Sequence, residues 1–112
     1  MKPNEIVPAQ TFSLADSIAY APASVVSKSI LKKPTGNITL FAFDRGEALS
    51  EHTAPFDALV QVIDGQAEIT IAQTSHQLTA GQNIILPANV PHAVKATTAF
   101  KMLLTMLKDT QP

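Results

Sequence analysis

The chain has 112 residues, and its 46% hydrophobic against 15% charged content suits one folded globule and excludes a disordered polar chain. A formal charge of −1, with no run of Lys or Arg, leaves no electrostatic basis for binding nucleic acid or an anionic membrane. The absence of cysteine excludes disulfides, thiolate metal sites and cysteine nucleophiles.

Residues 1–11 carry Pro3 and Pro8 among polar side chains and read as an irregular arm, with no apolar run of signal-peptide type. No segment approaches the roughly 18–20 apolar residues of a membrane helix. A soluble, cytoplasmic protein is the expectation. Phe12–Tyr20 is expected to form a short helical turn with Leu14 and Ile18 on one side, ended by Ala21-Pro22. Residues 1–24 are therefore assigned to an arm with that turn, and residues 25–112 to a barrel.

From Val25 the pattern is β. Val25–Leu31 is rich in β-branched residues and bounded by prolines, and Pro34-Thr35-Gly36-Asn37 is turn chemistry. Asn37–Phe43 alternates, with Ile38, Leu40 and Ala42 on one face and Thr39, Phe41 and Phe43 on the other. Ala58–Ile63 is an apolar strand. Asp64-Gly65 predicts a hairpin joining it to Gln66–Ala72, where Ala67, Ile69 and Ile71 share a face. Turns are expected at Thr74-Ser75 and Ala80-Gly81, with short strands at His76–Leu78 and Asn83–Leu86. Val94–Thr97 and Phe100–Leu107 complete the set. Roughly eight to ten short strands with frequent turns indicate an all-β sandwich or barrel. Val60, Val62, Ala67, Ile69 and Ile71 are the predicted core.

Two glycine-bounded stretches contain the histidines that suggest a site. In Gly46–Gly65, five residues separate Gly46 from His52; in Gly81–His92, five residues separate Gly81 from Pro87, and His92 follows. These stretches resemble the two signature motifs of the cupin family, with Asn89 where the second motif usually has glycine. The resemblance covers residues 25–107. It implies a double-stranded β-helix (jelly-roll) barrel in which the two motif strands lie side by side, and a homodimer.

Cupin metal sites usually take three histidines and one glutamate. By the same resemblance the second histidine position is Ala54 and the glutamate position is Ala58, so His52 and His92 remain from the set of four. Asp57 and Glu51 each sit one residue out of phase, which turns a side chain to the opposite face unless a bulge intervenes. Two neutral imidazoles with waters hold a divalent ion (nickel, zinc, copper or iron) weakly, whereas zinc in a catalytic site normally keeps three protein ligands. His76, placed after a turn, reads as solvated surface. Met102, Leu104 and Met106 alternate along the last strand, and Met102 is a candidate pocket wall as well as a core residue. Phe56, beside Pro55, is placed either to cap the barrel mouth or to pack at its rim. Val90–Pro91 is expected to be trans.

Other enzyme templates are missing: there is no G-x-S-x-G elbow, no phosphate-cradling glycine loop and no paired carboxylates on one pocket-facing strand. The expected function is a binding protein that holds a small, largely apolar molecule against His52, His92, Ala54, Ala58, Val60 and Met102. The alternatives are a metal-dependent cupin enzyme of dioxygenase or isomerase type with a reduced ligand set, and a structural subunit. Because Leu59 and Ile63 make the other face of their strand apolar as well, that face is expected to be covered, which also favours a homodimer.

Overall fold

The computed structural model describes residues 6–108, so the ends of the expected arm and barrel, 1–5 and 109–112, lie outside the described residues. It contains nine strands and, among the described residues, no helix. β1 (Val25–Lys33), β2 (Gly36–Phe43), β4 (Asp57–Asp64), β7 (Asn83–Leu86) and β9 (Phe100–Leu107) form one sheet in the order β1-β2-β9-β4-β7. β3 (Ala48–His52), β5 (Gln66–Ile71), β6 (Thr74–Thr79) and β8 (His92–Ala96) form the other, in the order β3-β8-β5-β6. Every strand pair is antiparallel, and the two sheets close over one core, as a jelly roll requires.

Alternation decides what enters that core. The β2–β9 register runs without interruption from Gly36↔Leu107 to Phe43↔Phe100, so Asn37, Thr39, Phe41 and Phe43 face inward with Met106, Leu104, Met102 and Phe100. Ala58, Val60 and Val62 of β4 join them, and Ala67 and Ile69 of β5 cover them from the other sheet. Four of the predicted core residues, Val60, Val62, Ala67 and Ile69, are fully buried, while Ile71 is partly buried. Phe43 and Phe100 stack at 4.6 Å between ring centroids and close one end of the barrel.

The expected hairpin at Asp64-Gly65 does not form. β4 and β5 belong to different sheets, and Gly65 is the corner between them. A bulge in the β4–β9 register, where Val62↔Met102 is followed by Asp64↔Lys101, bends the chain into that corner. Gly65 has φ +73°, and a Cβ there would lie 2.0 Å from the Ala99 carbonyl oxygen. Glycine is thus needed for conformation and for space, and the Asp-Gly pair reports a crossing between sheets rather than a hairpin.

The local hairpin lies one element later. Ala72 (φ 48°) and Gln73 (φ 70°) form a two-residue left-handed turn between Ile71 and Thr74, replacing the turn expected at Thr74-Ser75. His76 therefore belongs to β6. It is partly buried, opposite Ile69 and on the inward face with Leu78, which corrects its assignment to solvated surface.

The expected helical turn over Phe12–Tyr20 is also replaced, by a single turn in which Ser17 N–H donates to Leu14 O at 3.1 Å. The Ser17 hydroxyl donates to Ser13 O at 2.6 Å, the carbonyl that a helical i→i+4 bond would use. Lys28 and Lys101 donate to the carbonyls of Ser17 and Ala15. The segment becomes a strap instead. Ile18, with Leu14 and Tyr20, packs on Leu40, Ala42, Ile63 and Leu103 of the larger sheet's outer face, and the Tyr20 hydroxyl donates to Asp64. Burial and the neighbouring Asp64 carboxylate push the Tyr20 pKa well above the usual tyrosine range.

The strap thus covers Ile63 but does not include Leu59 in its cluster. One rung of that outer face runs Leu31–Ile38–Thr105–Leu59–Ile85 across all five strands. Its two ends, Leu31 and Ile85, are 54% and 61% exposed, so the rung is open to solvent at both edges.

Candidate functional site

The site lies at the barrel end opposite the stacked phenylalanines, and a bulge puts its first histidine there. Leu49 pairs with Val94 and His52 pairs with His92, so Ser50 and Glu51 together oppose Ala93 alone. Without the extra residue, two inward positions three apart on β3 would violate the period of two. With it, Leu49 and His52 both face the interior. β8 supplies the second histidine after the Pro87–Pro91 loop, where Asn89 has φ 64°, a left-handed conformation that asparagine tolerates and glycine usually fills. Three hydrogen bonds hold this loop: Asn89 N–H donates to Ala54 O at 2.7 Å, Ala88 N–H to Asp57 Oδ1 at 2.8 Å, and Ala72 N–H to Pro91 O at 2.9 Å. All described peptide bonds are trans, Val90–Pro91 included.

The imidazole rings of His52 and His92 lie 4.4 Å apart between centroids, tilted by 67°. His52 Nδ1 is 2.8 Å from Ser50 O and His92 Nδ1 is 3.2 Å from Val90 O. A carbonyl oxygen only accepts, so each Nδ1 carries the proton and, in the neutral ring, each Nε2 keeps its lone pair free. Burial lowers the His92 pKa below the ordinary histidine value, the Val90 carbonyl opposes that shift, and a charge on nearby His52 adds to it. His92 is thereby held neutral at pH 7, a ready acceptor or electron-pair donor.

Side chains facing this end are less buried than those facing the other. In the smaller sheet the inward rungs run Ala96–Ala67–Leu78, then Leu49–Val94–Ile69–His76, then His52–His92–Ile71–Thr74. The first rung is buried throughout; in the second Leu49 and His76 are partly exposed; in the third only His92 is buried. The larger sheet follows suit, with Phe43, Phe100, Met102 and Val62 sealed and Leu104 and Met106 partly exposed. The histidine end is therefore the less tightly enclosed end of the barrel, although Ala58 and Leu86 on the larger sheet's last inward rung stay buried.

The other predicted site residues are distributed along this axis. Ala58 is buried on the mouth rung between Leu86 and Met106, and Val60 lies one rung deeper. Met102 is deeper still, enclosed beside Val62 and Phe41, so Leu104 and Met106 are the last-strand side chains that reach the opening. Ala54 is not on β3, which ends at His52; it is half-buried in the connection to β4. Asp57 is exposed on the outer face, holding Ala88, and Glu51 is exposed at the bulge. Phe56 is half-buried, its ring centroid 6.0 Å from Lys108 Nζ. Besides His76, whose assignment is corrected above, two inward polar residues near the mouth were not singled out as site residues by sequence: Thr39 and Asn37. The alternation of β2 carried the signal for both. A separate shallow depression of about 400 Å³ lies on the smaller sheet's outer face, lined by Arg45, Glu68, Gln77, Lys95 and Thr97, and includes none of these residues.

A family model described as a cupin domain matches residues 39–107. The chain belongs to the cupin family. This cupin is similar along most of its length to a conserved protein of unknown function from Streptococcus pyogenes, with 34% identity, 96% of this chain and 95% of that one covered, and a TM-score of 0.91. It is also similar to a cupin superfamily protein from Desulfitobacterium hafniense, with 28% identity, 94% and 96% coverage, and a TM-score of 0.88. A cupin 2 conserved barrel domain protein from Leptotrichia buccalis is 41% identical over 87% of this chain and 47% of its own, with a TM-score of 0.84. No protein of curated function matches the chain.

Among the described residues no group of three or more His, Cys, Asp or Glu side chains is placed to hold a metal. The donor set at this end is two imidazoles, fewer than the three or four protein ligands that a zinc centre keeps. Among the same residues no helix is long and apolar enough to cross a membrane.

Proposed function

We propose that this cupin is a binding protein that takes a small, largely apolar molecule into the barrel mouth and contacts its polar group through His52 and His92. The observation that carries this reading is the pair of free Nε2 atoms set beside partly exposed inward apolar residues, Ile71, Leu104 and Met106. Ligand sites are mostly apolar with a few placed polar groups, and alanine rather than longer side chains at 54 and 58 leaves space for such a molecule.

The test is NMR of protein without a histidine tag, following the ring signals of His52 and His92 during titration with 1-hexanol. Saturable shifts that vanish in His92→Ala, with the fold intact, support the reading. Shifts that are absent, or that grow linearly with alcohol, refute it.

One observation favours a second reading, a metal-dependent enzyme of dioxygenase or isomerase type with a reduced ligand set. Both imidazoles are fixed through Nδ1 to backbone carbonyls, the arrangement by which metal-ligating histidines are usually oriented. Two nitrogens with waters hold Ni²⁺, Zn²⁺, Cu²⁺ or Fe²⁺ weakly. Elemental analysis of the untagged protein separates the two: metal near one equivalent after dialysis favours the enzyme, and substoichiometric metal favours the binding protein.

A further inference from the structure

The mouth carries a polar group that the histidine pair does not account for. Asn37 stands on β2 opposite Met106, on the inward face with Thr39 and Phe41. Its Oδ1 is buried and has no hydrogen-bond partner. The rung it shares runs from Lys32 of β1 through Asn37, Met106 and Ala58 to Leu86; Lys32 is exposed at the sheet edge and makes no hydrogen bond to Oδ1, and Met106, Ala58 and Leu86 carry no side-chain donor. A buried amide oxygen that has lost its water carries a free-energy penalty until a donor returns to it, so such atoms are rare in native structures and call for an explanation.

The two sheets thus face each other across the opening with matching chemistry. The smaller sheet presents the Nε2 lone pairs of His52 and His92; the larger presents the Asn37 carbonyl; the side chains on the rungs between them are mostly apolar. Acceptors at both ends suit a molecule with donors at both ends. We propose that Asn37 is a specificity-determining residue. Its Oδ1 accepts a hydrogen bond from a hydroxyl or amine at the far end of the ligand, and the mouth selects molecules with a donor at each end of an apolar middle. This rests on the reading of the mouth as a ligand site given above.

The experiment compares matched probes on the untagged full chain at pH 7.5: 1-alkanols against α,ω-alkanediols of four to eight carbons. NMR follows the His52 and His92 rings and the Asn37 side-chain amide. The expected result is one diol length that binds about tenfold more tightly than its monoalcohol, as one added neutral hydrogen bond allows. Asn37→Leu should erase that preference, and Asn37→Ser, which keeps an acceptor, should retain part of it.

The wild-type comparison needs no variant to fold. If the monoalcohols bind but no diol is preferred, or if the preference survives Asn37→Leu, the role of Asn37 is refuted and the pocket stands; water then satisfies the amide. If no alcohol moves the histidine signals, the pocket reading fails and takes this inference with it.

Discussion

Ala58→Glu tests the geometry of the mouth directly. Ala58 is 8% exposed on the inward face of β4, with Leu86 on one side and Met106 on the other. A carboxyl group placed there exchanges water for apolar neighbours. Burial pushes its pKa up, and in metal-free buffer the folded state is expected to lose about 3 kcal/mol. In a chain of 112 residues each kcal/mol moves Tm by about 4 °C, so Tm falls by about 12 °C. A divalent ion reverses the sign. The new carboxylate and the two Nε2 atoms make three donors, the number a catalytic zinc site keeps. At a hundred times its dissociation constant, an ion that binds only the folded state returns about 2.7 kcal/mol, a rise of about 10 °C. In the parent, two imidazoles should give a rise below about 2 °C at the same concentration. The assay is scanning calorimetry of untagged protein in EDTA, in Zn²⁺ and in Ni²⁺, and adding Ala54→His should enlarge the response. A variant that loses stability in EDTA but recovers none with metal would show that position 58 does not face the histidines, and the inward assignment of the mouth rung would fall.

Three further outcomes are expected. Gly65→Ala combines a left-handed φ with a Cβ that meets the Ala99 carbonyl, and should cost about 3 kcal/mol, seen as a urea midpoint lowered by about 2 M; a change under about 0.5 M would contradict the corner geometry. The His92 pKa is lowered on folding, so below about pH 6.5 the unfolded chain binds a proton that the folded chain does not; stability should therefore fall with pH from that point until the folded-state pKa is reached, and His92→Gln should flatten this part of the profile in urea titrations at pH 7.5 to 5. The open rung Leu31–Ile38–Thr105–Leu59–Ile85 has two apolar residues on each side of Thr105, so a two-fold axis along β9 sets it against the same rung of a second copy; light scattering should give a homodimer at micromolar concentration that Ile85→Glu with Leu59→Glu dissociates, and a parent monomer would end this proposal.

Alternation and turn chemistry made most of the barrel legible. The clean period of two in β2, β4 and β5 told which residues share a face, and the spacing of Gly46 from His52 and of Gly81 from His92 brought two distant histidines into one frame. What stayed hidden is decided by partners far away in sequence. Asp64-Gly65 is as good a hairpin signal as a corner signal until Ala99 and Phe100 occupy the space beside Gly65. The bulge at Ser50–Glu51 exists because β8 offers one residue where β3 has two, and neither strand shows that alone. His76 was misread because the left-handed turn fell on Ala72-Gln73, residues with no intrinsic preference for it, rather than on Thr74-Ser75. Asn37 ended a turn motif, where asparagine has an ordinary explanation, and that masked its place on the Thr39–Phe41–Phe43 face of β2.

The position of β9 has a consequence for how the chain is made. It lies at the middle of the larger sheet, between β2 and β4, yet it is the last of the nine strands to be synthesised. Until residues 100–107 have emerged, β1–β2 and β4–β7 have no common neighbour. The sides of β2 and β4 that β9 will occupy carry unpaired N–H and C=O groups beside Phe41, Val60 and Val62. The sheet cannot grow strand by strand behind the ribosome; it closes in one late insertion that satisfies two edges together. Before closure the chain carries two unpaired strand edges, the feature that exposes an all-β chain to aggregation.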